Sequence, residues 1–341
     1  MIWLVGVAAA CLVFVFWPRL GLLDRWQRAS DLARRSRRED ALKHILKCEA
    51  NQRRATLESV AGAVEIASGA AAHLLEDLQA GGLVTVEAGG LRLRPAGRDI
   101  ALHIIRAHRL WESFLAEETG VAEREWHLRA EKQEHLLTPE RADELAARLG
   151  HPTHDPHGDA IPALDGTLEG ERDRSLNDVD PGTPVVIRHI EDEPAPIYDQ
   201  LLAQGLRAGM KAFVVEKDQT RIRFWADGDL HVLAPVLADS VAVADLPGYR
   251  REDLVAHQFL AGLKPGERGR VVEISPACRG PERRRLMDLG FVPGTIVDVD
   301  LVSPAGDPTA YRLRGSVVAL RREQARLVRV DRVEAVAEVG S

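Results

Sequence analysis

The stretch HRLWESFLAEETGVAEREWHLRAEKQEH, His108–His135, decides how the chain is read. His108 and Glu112 are four residues apart, so on a helix they stack on one face. His127, Glu131, Glu134 and His135 follow at steps of four, three and one, within roughly 100° of one another on a second helix. A fold-back at Thr119-Gly120 would bring the two faces together. The donors are imidazole and carboxylate without thiolate, a set that suits Mn(II) or Fe(II) better than a structural zinc. Spacing alone leaves a plainer alternative open, in which two amphipathic helices turn these side chains to water.

Around this stretch the chain has ordinary globular composition: 341 residues, 45% hydrophobic and 28% charged, with a net charge of −7. That charge argues against wholesale coating of nucleic acid, although it averages a basic front end with later acidic segments. Cys11, Cys48 and Cys278 show no paired spacing, which indicates neither a disulfide framework nor a thiolate zinc site. Ile2 to Trp17 holds no charged residue, and with Leu20, Leu22 and Leu23 it reads as an uncleaved transmembrane anchor over 1–23. Residues 24–39, rich in arginine from Arg25 to Arg38, read as a juxtamembrane linker. Their positive charge predicts a single-pass inner (cytoplasmic) membrane protein with the bulk of the chain in the cytoplasm.

Beyond the linker, apolar periodicity predicts helices over Asp40–Ala50, Leu57–Ala67 and Ala70–Gln79. Leu83–Val86 and Leu91–Arg94 then flank Ala88-Gly89-Gly90 as a hairpin. Three helices and a hairpin form a winged helix-turn-helix over 40–97, a fold that usually sets its third helix in the major groove. A helical domain follows over 98–162.

Three runs give this order of parts a known counterpart: HRLWESFL from His108, WHLRAEKQEHLLTPE from Trp126, and LGHPTHDPHGDAIP from Leu149. Over Asp40–Pro162 the chain resembles the DtxR/MntR metal-dependent transcriptional regulators. The resemblance implies a homodimer formed through the helical domain and organised by Fe(II) or Mn(II) for operator binding, with apolar Leu110, Trp111, Phe114 and Leu115 on the dimer face. It matches His108, Glu112 and His127 to one metal site, and Glu131, Glu134 and His135 to its neighbour. Asp40 corresponds to the ligand given by the first helix of the DNA domain. Glutamate at Glu131, where iron-sensing members often carry cysteine, leans toward the harder ion.

The third helix departs from a DNA reader. It offers Ser68 and His73 but also Glu76 and Asp77, which repel phosphate, and its nearest cations are Arg53, Arg54, Arg92 and Arg94. His151, His154 and His157 sit among Pro152, Pro156 and Gly158 and read as a connector. Glu191, Asp192 and Glu193 read as a solvated acidic turn, with no ligand role.

From Ser175 on, short β-rich segments repeat. Pro181-Gly182 recurs as Pro265-Gly266, and Leu201, Gly205 and Gly209 recur as Leu286, Gly290 and Gly294. Two SH3-like β-barrels are expected, over 174–247 and 252–333, and the second resembles the FeoA domain associated with ferrous-iron uptake. The whole chain is therefore an α+β multidomain protein. It holds no Walker loop, nucleophile elbow or HExxH motif, so an enzyme is not expected. Two functions fit: a membrane-tethered metal-dependent regulator of iron or manganese homeostasis, or a metal-sensing accessory of a ferrous-iron transporter that reads no DNA.

Overall fold

The computed structural model describes residues 22–87, 90–163, 173–252 and 258–333. It divides into two compact units, residues 1–108, 130–148 and 162–168 in the first, 109–129, 149–161 and 169–341 in the second.

The first unit begins with α1, Leu22–Ala50. The sequence contains no glycine or proline between those ends and is dominated by Arg, Leu, Ala and Lys, all good helix formers. The residues expected as a linker over 24–39 are therefore helical, continuous with the segment expected from Asp40. The anchor expected over 1–23 falls, up to Gly21, outside the described residues. Among the described residues no helix is long and apolar enough to cross a membrane, which overturns the expected inner-membrane location.

Helices α2, Leu57–Ala63, and α3, Ser68–Ala80, follow. Thr56 caps α2: its Oγ1 accepts from Ser59 N at 3.2 Å while Ser59 Oγ accepts from Thr56 N at 2.9 Å. Strands β1, Val84–Glu87, and β2, Gly90–Leu93, pair antiparallel as the wing. Leu42, Ile45, Val60, Leu75, Leu78 and Val84 form the core under this trihelical layer. The long helix α4, Pro95–Glu118, starts against the wing, where a Cβ on Gly97 would meet Leu83 O at 2.2 Å. Helix α5, Trp126–Glu134, and α6, Pro139–Arg148, complete the helical part; α4 and α5 each contribute residues to both units.

The second unit carries two six-stranded antiparallel sheets. The first comprises β3 (Arg174–Ser175), β4 (Pro184–Ile190), β5 (Lys211–Lys217), β6 (Ile222–Ala226), β7 (Asp229–Leu233) and β8 (Val241–Asp245). The second comprises β9 (Gln258–Phe259), β10 (Arg268–Ile274), β11 (Ile296–Val302), β12 (Thr309–Leu313), β13 (Ser316–Leu320) and β14 (Val328–Val333). The orders β3-β8-β4-β5-β6-β7 and β9-β14-β10-β11-β12-β13 are the same topology twice. Bulges recur too: Ile187/His189 matches Val271/Glu273, and Val214/Glu216 matches Val299/Leu301. Gly205 and Gly290 share a left-handed φ, of 76° and 100°, after matching helices α7 (Ala195–Ala203) and α8 (Gly280–Asp288). Each sheet domain closes on its own apolar core. Between them, buried Arg329 pairs with Asp227, and Asp227 Oδ2 accepts from Ser275 Oγ at 2.6 Å.

Candidate metal centre

Groups of potential ligands form within each unit. In the first unit, Asp40 on α1 meets Glu134 and His135 at the C-terminal end of α5, with one donor atom from each within 4.8 Å of the others. His135 Nε2 is 3.2 Å from Asp40 Oδ1 and 3.7 Å from Glu134 Oε1. Its other nitrogen, Nδ1, lies 2.7 Å from Glu39 Oε2, so a proton held there leaves Nε2 to face the carboxylates. Burial alone would push the His135 pKa down, but Asp40 and Glu39 reverse that and raise it to about 9. Glu39 is itself buried, which would raise it; hydrogen bonds from His135 and Arg35 hold it low instead. Arg35 Nε donates to Glu39 Oε1 at 2.6 Å, extending the relay along α1.

Lys43 belongs to the same cluster, one turn after Glu39. Its Nζ donates to both Glu134 oxygens, at 3.1 and 2.9 Å. His108 Nδ1 bonds Glu134 as well. These partners outweigh the burial of Glu134 and keep its carboxyl low. The sequence reading grouped His108 with Glu112 and His127; its Nδ1 also bonds Glu134. Glu131 is exposed, one turn beyond His127 on α5, and does not join the Asp40, Glu134 and His135 group.

The second unit gathers Glu112, His127, Asp155, His157 and Asp192. His127 Nδ1 lies 3.4 Å from Glu112 Oε1 and 2.9 Å from Asp192 Oδ2, and His127 Nε2 lies 3.4 Å from Glu193. His157 Nδ1 lies 3.7 Å from Glu112 Oε2 and 3.5 Å from Asp192 Oδ2. Neither ring nitrogen of His157 has a hydrogen-bond partner, although the residue is only 3% exposed. An orphaned imidazole facing buried carboxylates is the arrangement an ion of the Mn(II) or Fe(II) class would satisfy, and the N/O donor set fits it. Asp155 is fully enclosed, and burial followed by repulsion from Asp159 and Glu112 drives its pKa well up.

The chain reaches this arrangement through one turn. Asp155 Oδ1 accepts from the amides of His157, Gly158 and Asp159, each at 2.9 Å, closing residues 155–159 on themselves. Gly158 has φ +99°, and a Cβ there would stand 1.7 Å from Arg188 O. Only glycine lets the turn lie against β4, where Ile190 N donates to His157 O at 3.0 Å and fixes the imidazole. Trp126 and Tyr198 wall the ring, with centroids 6.1 and 5.2 Å away. The sequence reading gave His157, Asp155 and Asp192 no ligand role. The signal it undervalued was Asp155 two residues before a histidine and a glycine, a self-capping turn able to hold that histidine still.

None of the residues considered for DNA belongs to a group of potential ligands. Ser68 opens α3, and exposed His73 pairs with Glu76 at 3.3 Å. Arg53 and Arg54 precede Ala55, which bridges to Leu91 in the wing, so they flank the hairpin with exposed Arg92 and Arg94. Of the four apolar residues expected on a dimer face, Leu110 and Leu115 are buried within the chain. Trp111 and Phe114 stay half-exposed, their rings 5.1 Å apart.

Residues 94–163 match the iron dependent repressor, metal binding and dimerisation domain family, and residues 259–332 match the FeoA domain family. Two segments of the chain are thus similar to a repressor metal-binding and dimerisation domain and to a FeoA domain. It is 29% identical over 152 residues to the diphtheria toxin repressor of Corynebacterium diphtheriae, a match spanning 40% of this chain and 66% of that one. It is 40% identical over 81 residues, 24% of this chain, to a probable metal transport system membrane protein of Chlamydia trachomatis, but spans only 18% of that relative. So short a match carries no transporter partner. The solved structure of a manganese-dependent transcriptional repressor in complex with manganese matches 61% of this chain and 100% of its own, at 27% identity and a TM-score of 0.56. Over the matched part, the α+β fold with a helical domain and a β-sheet domain is thus like that of the manganese-dependent repressor. The expected membrane tether has no support here. The relatives that cover the helical domain are regulators, in line with a non-enzymatic chain.

Proposed function

We propose that the chain is a transcriptional repressor activated by Mn(II) or Fe(II), acting as a homodimer on operator DNA. The observation that carries this reading is the convergence of Asp40, Glu134 and His135. Asp40 belongs to the first helix of the winged domain, while Glu134 and His135 belong to the helical domain. An ion held by all three would therefore fix α1 against α5, linking metal occupancy to the placement of the DNA-facing helices. Glu112, His157 and Asp192, with His127 beside them, form a second ion site that ties α4 to the first sheet domain. The match of residues 94–163 to a metal-binding and dimerisation domain supports the dimer.

Calorimetric titration with Mn(II) tests the reading directly. Two ions per chain are expected, with Asp40→Ala and His135→Ala abolishing one of them. Duplex binding that is indifferent to Mn(II), or unchanged affinity in both variants, would overturn it.

A further inference from the structure

Helix α3 has no lysine or arginine, and its exposed side chains include Glu76 and Asp77. A reading helix of that charge gains nothing from phosphate and needs cations supplied from elsewhere. The flank of α3 supplies them. A groove of about 660 Å³ opens between α1 and α3, lined by Arg34, Arg37 and Arg38 on one side and by Ala70, His73 and Asp77 on the other. Positions 34, 37 and 38 stand at i, i+3 and i+4, hence on one face of α1. Arg34 is drawn to Asp31 at 2.5 Å, and Arg35 is committed to Glu39. Arg37 and Arg38 have no acidic partner among the described residues and are exposed. The Arg38 guanidinium reaches the C-terminal end of α3, 3.7 Å from where a side chain on Gly81 would begin.

We propose that this groove seats a DNA phosphate backbone, with Arg37 and Arg38 as the contacting residues and Arg34 beside them. The proposal rests on the reading of the chain as a metal-dependent repressor and adds where its phosphate contacts lie. It also explains how an ion reaches them. Asp40, the ligand on α1, is three residues past Arg37, and Glu39 joins Arg35 to His135. Fixing Asp40 and His135 about one ion sets the rotation and register of α1 and thereby aims both guanidinium groups beside α3. Phosphate contacts of this kind hold the protein in place without reading bases.

The test is fluorescence anisotropy of the full chain on a duplex taken from upstream of its own coding sequence, with saturating Mn(II), across a salt series. Each lost phosphate contact lowers the slope of log K against log salt by about 0.9. Arg37→Gln with Arg38→Gln is expected to lower it by about 2 and to weaken binding at least about tenfold at moderate salt. Mn(II) titration of the same variant should be unchanged, since neither residue is a ligand. Wild-type affinity and slope in the variant would overturn the proposal. So would loss of binding to phosphatidylglycerol vesicles with duplex binding retained, which would assign the groove to a lipid surface. If the wild-type chain saturates with Mn(II) yet binds no duplex, the groove is not a DNA surface while the metal centre stands. If it binds duplex equally with and without Mn(II), the metal-dependent reading fails and the groove is judged on the salt slope alone.

Discussion

Lys43 Nζ donates to both carboxylate oxygens of Glu134, at 3.1 and 2.9 Å, so the ligand cluster of the first unit already contains one cation. An incoming ion must take Glu134 from it. Lys43→Met is expected to raise Mn(II) affinity at this site about tenfold, equivalent to ~1.4 kcal/mol, by removing that competitor. The same change leaves Glu134 with less compensation in the metal-free protein and should cost about 1–3 kcal/mol of stability. Calorimetry and metal-free thermal unfolding read the two effects separately; unchanged affinity would show that the lysine does not compete.

His157 has two unsatisfied nitrogens in a carboxylate-lined site of the second unit. His157→Ala together with Asp192→Asn should reduce Mn(II) stoichiometry from two to one and leave the Asp40 site intact. Stoichiometry from calorimetry, checked by metal content after gel filtration, decides this; two retained ions would remove both residues from the ligand set.

Gly158 holds φ +99° with its Cβ position against Arg188 O. Gly158→Ala must move the turn off β4. The backbone strain alone costs about 1–3 kcal/mol, and the clash adds to it. The expected outcome is a lower melting temperature together with loss of the ion that His157 would bind. A variant with wild-type stability and stoichiometry would mean that the turn has room the structure does not show.

His135, raised to about 9 by Asp40 and Glu39 against the effect of burial, is protonated at neutral pH without metal. An ion at Nε2 must displace that proton. Mn(II) affinity should therefore rise from pH 6 to pH 9, with about one proton released per ion, measurable as a dependence of apparent enthalpy on buffer ionisation. Stability of the metal-free protein should run the other way. A folded pKa above the ordinary histidine value of about 6.5 contributes stability that is full below that value and is lost as pH rises through about 9. Metal-free unfolding that is flat between pH 6.5 and 9 would contradict the ion-pair assignment.

The winged domain was legible because its signals are local: Gly81-Gly82 after α3, alternation across the hairpin, and the three-and-four periodicity of α1 and α2. The repeat in the second half was legible because glycines at equivalent turns need the same φ. Continuation of α1 back to Leu22 was missed, since an arginine-rich run beside an apolar stretch was weighed by charge rather than by its freedom from helix breakers. Spacing and resemblance named the candidate donors, but not every partner each one takes. Spacing places His108 and Glu112 on one face, yet it does not tell that His108 also bonds Glu134 or that Lys43 enters the cluster from 91 residues away. His157 and Asp192 escaped because their meeting depends on a turn lying against β4, a contact with no periodic signature.

The acidic turn Glu191–Glu193 leaves β4 where Ser275, Pro276 and Ala277 leave β10 in the matching copy. In the second copy that segment is mortar: Ser275 bonds Asp227, and Ala277 packs against the core of the first sheet domain. In the first copy the same segment carries Asp192 to His127 and His157. The same position in the two copies thus carries different contacts, cementing the pair of sheets in one and bringing a carboxylate to two imidazoles in the other. Exchanging the two tripeptides would therefore injure cohesion at one address and ion capture at the other, two separable lesions from one shared position.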